Sequence, residues 1–211
     1  MRTKSDIERM MCLLEELYPN ARCELDFKNA YTLLVAVMLS AQSTDKGVNK
    51  ATKTLFEIAD TPQKMLDLGL DKLKNYIKTI GLYNNKAQNI MLMSKALVEK
   101  YGGVVPDSRQ ALEDLAGVGR KTANVVLNVW FSQPTLAVDT HVFRIAHRLG
   151  FSNGKTPRDV EDDLMKILPV NYVKNANHLL VLFGRYVCKA VKPECAACPI
   201  KDYCTSQDKR L

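Results

Sequence analysis

Apolar residues recur every three to four positions along most of the chain, a spacing that predicts helices. Ile7, Met10, Met11, Leu14 and Leu17 share one helical face, opened by a Ser5/Glu8 capping-box pattern and stopped by Pro19. A first helix is therefore predicted over about Ser5 to Tyr18. Leu25 to Ala30 reads as loop. Tyr31 to Leu39 is apolar almost throughout and fits a buried helix or a strand by periodicity alone. Helix is preferred, because nothing else in the chain supplies sheet partners. Beyond the polar break Ser40 to Thr44, helices are predicted from Thr44 to about Ile58, from Asp71 to Thr79 and from Asn85 to Lys100, the last with Ile90, Met93 and Leu97 inward. Thr61-Pro62 and Thr156-Pro157 each join a threonine N-cap to proline at the first helical position, where a missing N–H costs no intrahelical bond. Asn171 to Val187 forms the last long helix. With no convincing period-two alternation, the chain is predicted all-α with about ten helices.

Two short helices, Ser108–Asp114 and Arg120–Trp130, flank Gly117-Val118-Gly119, whose glycines permit positive φ and close backbone approach. This is a helix-hairpin-helix pattern, and the amides at the start of its second helix suit a phosphate. Lys121 stands in the first turn of that helix, where the dipole disfavours a cation. Either it contacts phosphate, or the dipole and burial together release a free amine that attacks carbon. After the break Ser132–Thr135, Asp139 precedes another helix that it or Thr140 caps, and it is the candidate carboxylate. His141 and His147 read as structural, and Arg144 as an ion-pair former.

The net charge of +7 points to a polyanionic partner without choosing one. No apolar stretch reaches the length of a membrane span, and acidic Asp6 and Glu8 are unlike a targeting peptide. The expectation is a cytoplasmic or nucleoid-associated protein. Of the 6 cysteines, Cys12 and Cys23 read as small buried hydrophobes. Cys188, Cys195, Cys198 and Cys204 form C-x6-C-x2-C-x5-C, which fits tetrahedral zinc or a four-iron four-sulfur cluster. Zinc ribbons usually carry two tight C-x2-C pairs, so the single pair here favours the cluster. Lys189 and Lys192 lie in the six-residue loop that ligation would order, placing two cations where they could contact phosphate.

Taken together, LLVAVMLSAQSTDKGVNKAT (33–52), IGLYNNKAQNI (80–90), the hairpin LAGVGRKTA, VDTHVFR (138–144) and the cysteine motif resemble the endonuclease III family, the bifunctional DNA glycosylases and abasic-site lyases of the helix-hairpin-helix superfamily. The resemblance implies a six-helix barrel over 22–134, with the helix-hairpin-helix at about 108–130. It implies a discontinuous second domain, 1–21 with 135–211, that holds a four-iron four-sulfur cluster in loop 188–204, and a cleft with Lys121 and Asp139 on opposite walls. Lys121 is then the Schiff-base nucleophile and Asp139 its acidic helper. Gly117, Val118, Gly119 and Arg120 grip DNA, Gln42 fills the space left by an extruded base, and Leu82 is a wedge. The implied substrate is double-stranded DNA carrying oxidised pyrimidines such as thymine glycol, or abasic sites, bound by a monomeric bacterial enzyme. Ala116 and Ala30 replace prolines usual in the family, a change in loop stiffness. The adenine glycosylases of the superfamily carry glutamate where Ala36 stands and no hairpin lysine. A thymine-mismatch glycosylase and a non-enzymatic iron-sulfur DNA-binding module complete the alternatives.

Overall fold

The computed structural model describes residues 2–209, and among them every regular element is helical. In chain order these are α1 (Lys4–Leu17), α2 (Ala30–Ser40), α3 (Asp45–Ile58), α4 (Pro62–Leu68), α5 (Leu70–Ile77), α6 (Tyr83–Tyr101), α7 (Arg109–Glu113), α8 (Arg120–Val129), α9 (Thr140–Arg148), α10 (Pro157–Ile167) and α11 (Val170–Tyr186), then a 3-10 turn at Lys201–Tyr203. No helix among the described residues is long and apolar enough to cross a membrane. Internal contacts divide the chain into two compact units, Glu24–Ser132 and the pair of segments Met1–Cys23 and Gln133–Leu211.

The unit Glu24–Ser132 is built around α2. Every residue from Tyr31 to Leu39 is buried, because α3, α6 and α8 cover it on several sides. A helix apolar all round must be covered this way, so the unbroken run marks a central helix. Its start is held by a capping box: the Asn29 side chain accepts from the Thr32 amide at 2.9 Å, and Thr32 Oγ1 accepts from the Asn29 amide at 3.0 Å. Inside the unit, the Tyr31 hydroxyl meets Ser94 Oγ at 2.6 Å and Ser94 Oγ donates to the Ile90 carbonyl at 2.7 Å, so this buried pair is satisfied. Burial raises the Tyr31 hydroxyl above its usual range.

The other unit packs α1, α9, α10 and α11 around Met10, Leu14, Ile145, Leu180 and Phe183. A Cβ at Gly184 would lie 3.0 Å from the His141 Cβ, so glycine lets α9 and α11 approach closely. Three local expectations are corrected here. Thr3, rather than Ser5, caps α1, its Oγ1 accepting from the Asp6 amide at 3.1 Å. Cys12 and Cys23 are only partly buried, and Cys12 Sγ lies 3.5 Å from Glu16 Oε1. Arg144 donates to the carbonyls of Gly184 (2.8 Å) and Cys188 (3.3 Å) instead of to a carboxylate.

Candidate functional site

The hairpin separates the duties of its two glycines. Gly117 has φ +76, and a Cβ there would lie 2.8 Å from Asn89 Cβ and 2.9 Å from Met38 Cε. Gly119 has ordinary φ −94 as N-cap of α8, makes no side-chain cap, and has no atom within 4 Å of where its Cβ would stand. Gly117 is needed to make the turn, and Gly119 leaves room for something to approach the helix start. Between them Val118 is buried, so only its backbone is available to a ligand, and its amide already donates to the Leu115 carbonyl at 3.1 Å. Arg120 is partly exposed and Lys121 exposed on the first turn of α8. The expected burial of Lys121 is therefore corrected: the residue is exposed in the first turn of α8.

Replacing Gly117 by Ala is expected to destabilise the protein by about 2–5 kcal/mol in urea unfolding, combining a left-handed backbone penalty with overpacking against Asn89 and Met38. Gly119→Ala should cost no more than about 1 kcal/mol of stability yet weaken DNA binding in a filter or anisotropy titration.

Elsewhere in the same unit, Gln42 and Leu82 occupy left-handed backbone at φ +55 and +58. Gln42 is exposed, and Leu82, the N-cap of α6, leaves 63% of its surface open. Both side chains thus project from strained positions that non-glycine residues seldom adopt.

In the second unit Asp139 caps α9. Its Oδ1 accepts from the amides of His141 (2.9 Å) and Val142 (2.8 Å), and its Oδ2 lies 3.1 Å from His141 Nδ1. With these bonds the carboxylate is held in one orientation, and its side chain is 17% exposed. His147 is structural, its ring nitrogens 2.8 Å and 3.0 Å from the carbonyls of Phe143 and Gly154.

Cys188, Cys195, Cys198 and Cys204 line one cavity together with Leu149, Phe183 and other apolar neighbours. None of the four is in a disulfide. Burial pushes the Cys188 and Cys198 thiols up, and the neighbouring sulfurs push Cys198 the same way. Ligation would remove that penalty by exchanging protons for metal. Four thiol donors lining one apolar cavity fit an iron-sulfur cluster, whose irons are held by cysteine thiolates.

Arg148, which sequence reasoning missed, clamps this loop: it donates to the carbonyls of Lys189 (2.7 Å) and Ala190 (3.3 Å), lies 3.5 Å from Cys188 Sγ and pairs with Asp208 at 3.3 Å. Its position four residues after Arg144 on α9 was the available signal. Lys189 is engaged with Glu194 at 2.9 Å, whereas Lys192 is exposed at a left-handed loop position. Cys198→Ala should lower cluster content by more than the ~10–100-fold that loss of a group hydrogen-bonded to a metal ligand costs, read as iron and visible absorption, while circular dichroism retains most of the helical signal.

The all-helical fold and its glycine hairpin define a helix-hairpin-helix protein, and the profile of the HhH-GPD superfamily of base excision DNA repair proteins matches residues 35–170. The profile for the iron-sulfur binding domain of endonuclease III matches residues 188–204. Endonuclease III of Haemophilus influenzae is 55% identical over 196 residues, covering 93% of each chain. That of Escherichia coli K12 is 51% identical with the same coverage. A solved structure of a trapped endonuclease III–DNA covalent intermediate superposes with a TM-score of 0.91, at 46% identity over 97% of both chains. The chain belongs to the endonuclease III family. It is a base-excision-repair DNA glycosylase for oxidised pyrimidines with abasic-site lyase activity, and its cofactor is a four-iron four-sulfur cluster. The mismatch-glycosylase and binding-module alternatives are not favoured.

Proposed function

We propose that the start of α8 holds a backbone phosphate of the damaged strand while Lys121 attacks the sugar of the lesion. The observation that carries this reading is a cation in the first turn of a helix whose glycine N-cap has no capping side chain and open space above it. The free amine of Lys121 bonds to C1′ as the glycosidic bond breaks, its electron pair leaving with the base, which takes up a proton. The sugar ring opens to a Schiff base. Its iminium acidifies a C2′ proton, and loss of that proton breaks the C3′–O bond, cutting the strand on the 3′ side. Asp139 accepts a proton from the Lys121 ammonium or stabilises positive charge growing on the sugar.

Base extrusion leaves a hole in the stack. Gln42 fills it and Leu82 wedges the neighbouring step, a reading supported by their exposure and left-handed backbones. Of the two loop lysines, Lys192 is the better phosphate contact, since Lys189 is engaged with Glu194. When bound, the cluster supplies iron–thiolate bonds that order loop 188–204. We read residues 22–134 as the six-helix barrel domain and 1–21 with 135–211 as the cluster domain, with support from contact boundaries at Cys23/Glu24 and Ser132/Gln133.

The enzyme acts as a monomer on the bacterial nucleoid, with duplex thymine glycol as a substrate; its basic charge and bacterial relatives support this reading. The test is borohydride treatment of protein with duplex DNA bearing one thymine glycol. A covalent protein–DNA adduct is expected; DNA binding without any adduct would overturn the amine mechanism for this lesion.

A further inference from the structure

The buried lysine of α6 has no part in the chemistry above, yet it touches the segment that carries Gln42. Lys86 retains only 9% of its surface, and its ammonium donates to the carbonyls of Leu39 at 2.8 Å and Ala41 at 2.6 Å, with Ser43 Oγ at 3.5 Å. All three partners are uncharged. Burying an ammonium without a carboxylate is costly, and burial lowers the Lys86 pKa accordingly. Such a cost needs a compensating gain, and the partners show where it lies.

Leu39 and Ala41 stand at the C-terminal end of α2, where carbonyls lack intrahelical donors and the dipole is negative. The last turn of α2 contains no basic residue of its own. Lys86 supplies that charge from α6, binding the residues on both sides of Gln42. It also sits one turn beyond Leu82, and the Lys86 amide donates to the Leu82 carbonyl at 3.1 Å. The two loops lie close together: a Cβ added at Gly81 would stand 3.9 Å from the Gln42 carbonyl oxygen. One lysine therefore links two exposed residues, each held at positive φ.

We infer that Lys86 is a positioning residue for base extrusion: its ammonium locks the Gln42 loop onto the start of α6, so that Gln42 and Leu82 enter the duplex as one rigid unit. Because strained left-handed conformations relax when their surroundings loosen, removing the ammonium should free Gln42 before it unfolds α2. This inference rests on the reading of Gln42 as filler and Leu82 as wedge.

The discriminating experiment compares Lys86→Met, Lys86→Arg, Gln42→Ala, Leu82→Ala and the Lys86→Met/Gln42→Ala double variant on two substrates. One is a lesion duplex, with base release followed in single turnover and 2-aminopurine beside the lesion reporting extrusion. The other is a single-stranded abasic oligonucleotide, which needs no wedge. Lys86→Met is expected to slow duplex base release by about 10–100-fold, the loss that a small misplacement produces, and to reduce the extrusion signal. It should leave single-strand β-elimination within about threefold, and Lys86→Arg should restore part of the duplex rate.

In the Gln42→Ala background, Lys86→Met should add little further loss, as residues acting through one another do. Equal losses on both substrates would overturn the inference, as would a normal duplex rate in Lys86→Met when Gln42→Ala is impaired. If neither Gln42→Ala nor Leu82→Ala has an effect, the filler and wedge reading fails instead. Should Lys86→Met not fold, full activity of Lys86→Gln on the duplex, with a normal extrusion signal, would equally overturn the inference.

Discussion

Lys121→Ala is expected to abolish borohydride trapping on a thymine glycol duplex and to slow strand cleavage by at least ~10³-fold, the scale on which loss of a covalent nucleophile is felt. The fold should not suffer. Lys121 is exposed, and a surface substitution away from packed features usually changes stability by no more than ~0.5 kcal/mol. Removing a cation from the first turn even relieves an unfavourable dipole interaction worth a few tenths of a kcal/mol, so the melting temperature should hold or rise slightly. DNA binding should persist, because the amides of α8 and the open approach at Gly119 remain. The informative result is the combination: unchanged melting, retained binding, no adduct. A Lys121 that only contacted phosphate would instead weaken binding, lower its salt dependence, and leave an adduct detectable at high protein concentration.

The sequence made some of this architecture readable because local chemistry there agrees with packing. The apolar run Tyr31–Leu39 could only be a covered element, and the Thr-Pro pairs do cap α4 and α10 at Thr61 and Thr156. Other features are decided by contacts that the local pattern does not choose between. Thr3 and Ser5 both begin capping patterns, and the choice of Thr3 becomes visible only with the Thr3 Oγ1 bonds to the Asp6 amide and carboxylate. Which hairpin glycine needs positive φ is set by Asn89 and Met38, whose side chains block a Cβ at Gly117 and leave Gly119 open.

Leu82 and Lys86 are the clearest cases, because each inverts the usual placement of its residue type. A leucine open to solvent and a lysine on the apolar face with Ile90, Met93 and Leu97 are exceptions that composition cannot signal; the resemblance supplied the first, and only coordinates supplied the second. The discontinuous pairing of the N-terminal helix with residues beyond Gln133 likewise has no local mark, since no change of composition accompanies it.

Asp139 carries two roles that one pair of substitutions should separate. Its Oδ1 caps α9 through the amides of His141 and Val142, while its charge serves the glycosylase step in the proposed mechanism. Asparagine keeps an oxygen in the same place and caps helices about as well as aspartate, so Asp139→Asn should change stability by only a few tenths of a kcal/mol. Base release should nevertheless fall by about 10²–10⁴-fold, the usual contribution of a general acid or base, because an amide neither accepts the ammonium proton nor offsets positive charge on the sugar. Asp139→Ala should show the same catalytic loss and an additional ~1 kcal/mol of destabilisation from the missing cap. Single-turnover base release together with thermal unfolding of both variants decides the matter. If Asp139→Asn released the base at the wild-type rate while Asp139→Ala did not, the residue would be a cap alone, and the proton from Lys121 would need another acceptor.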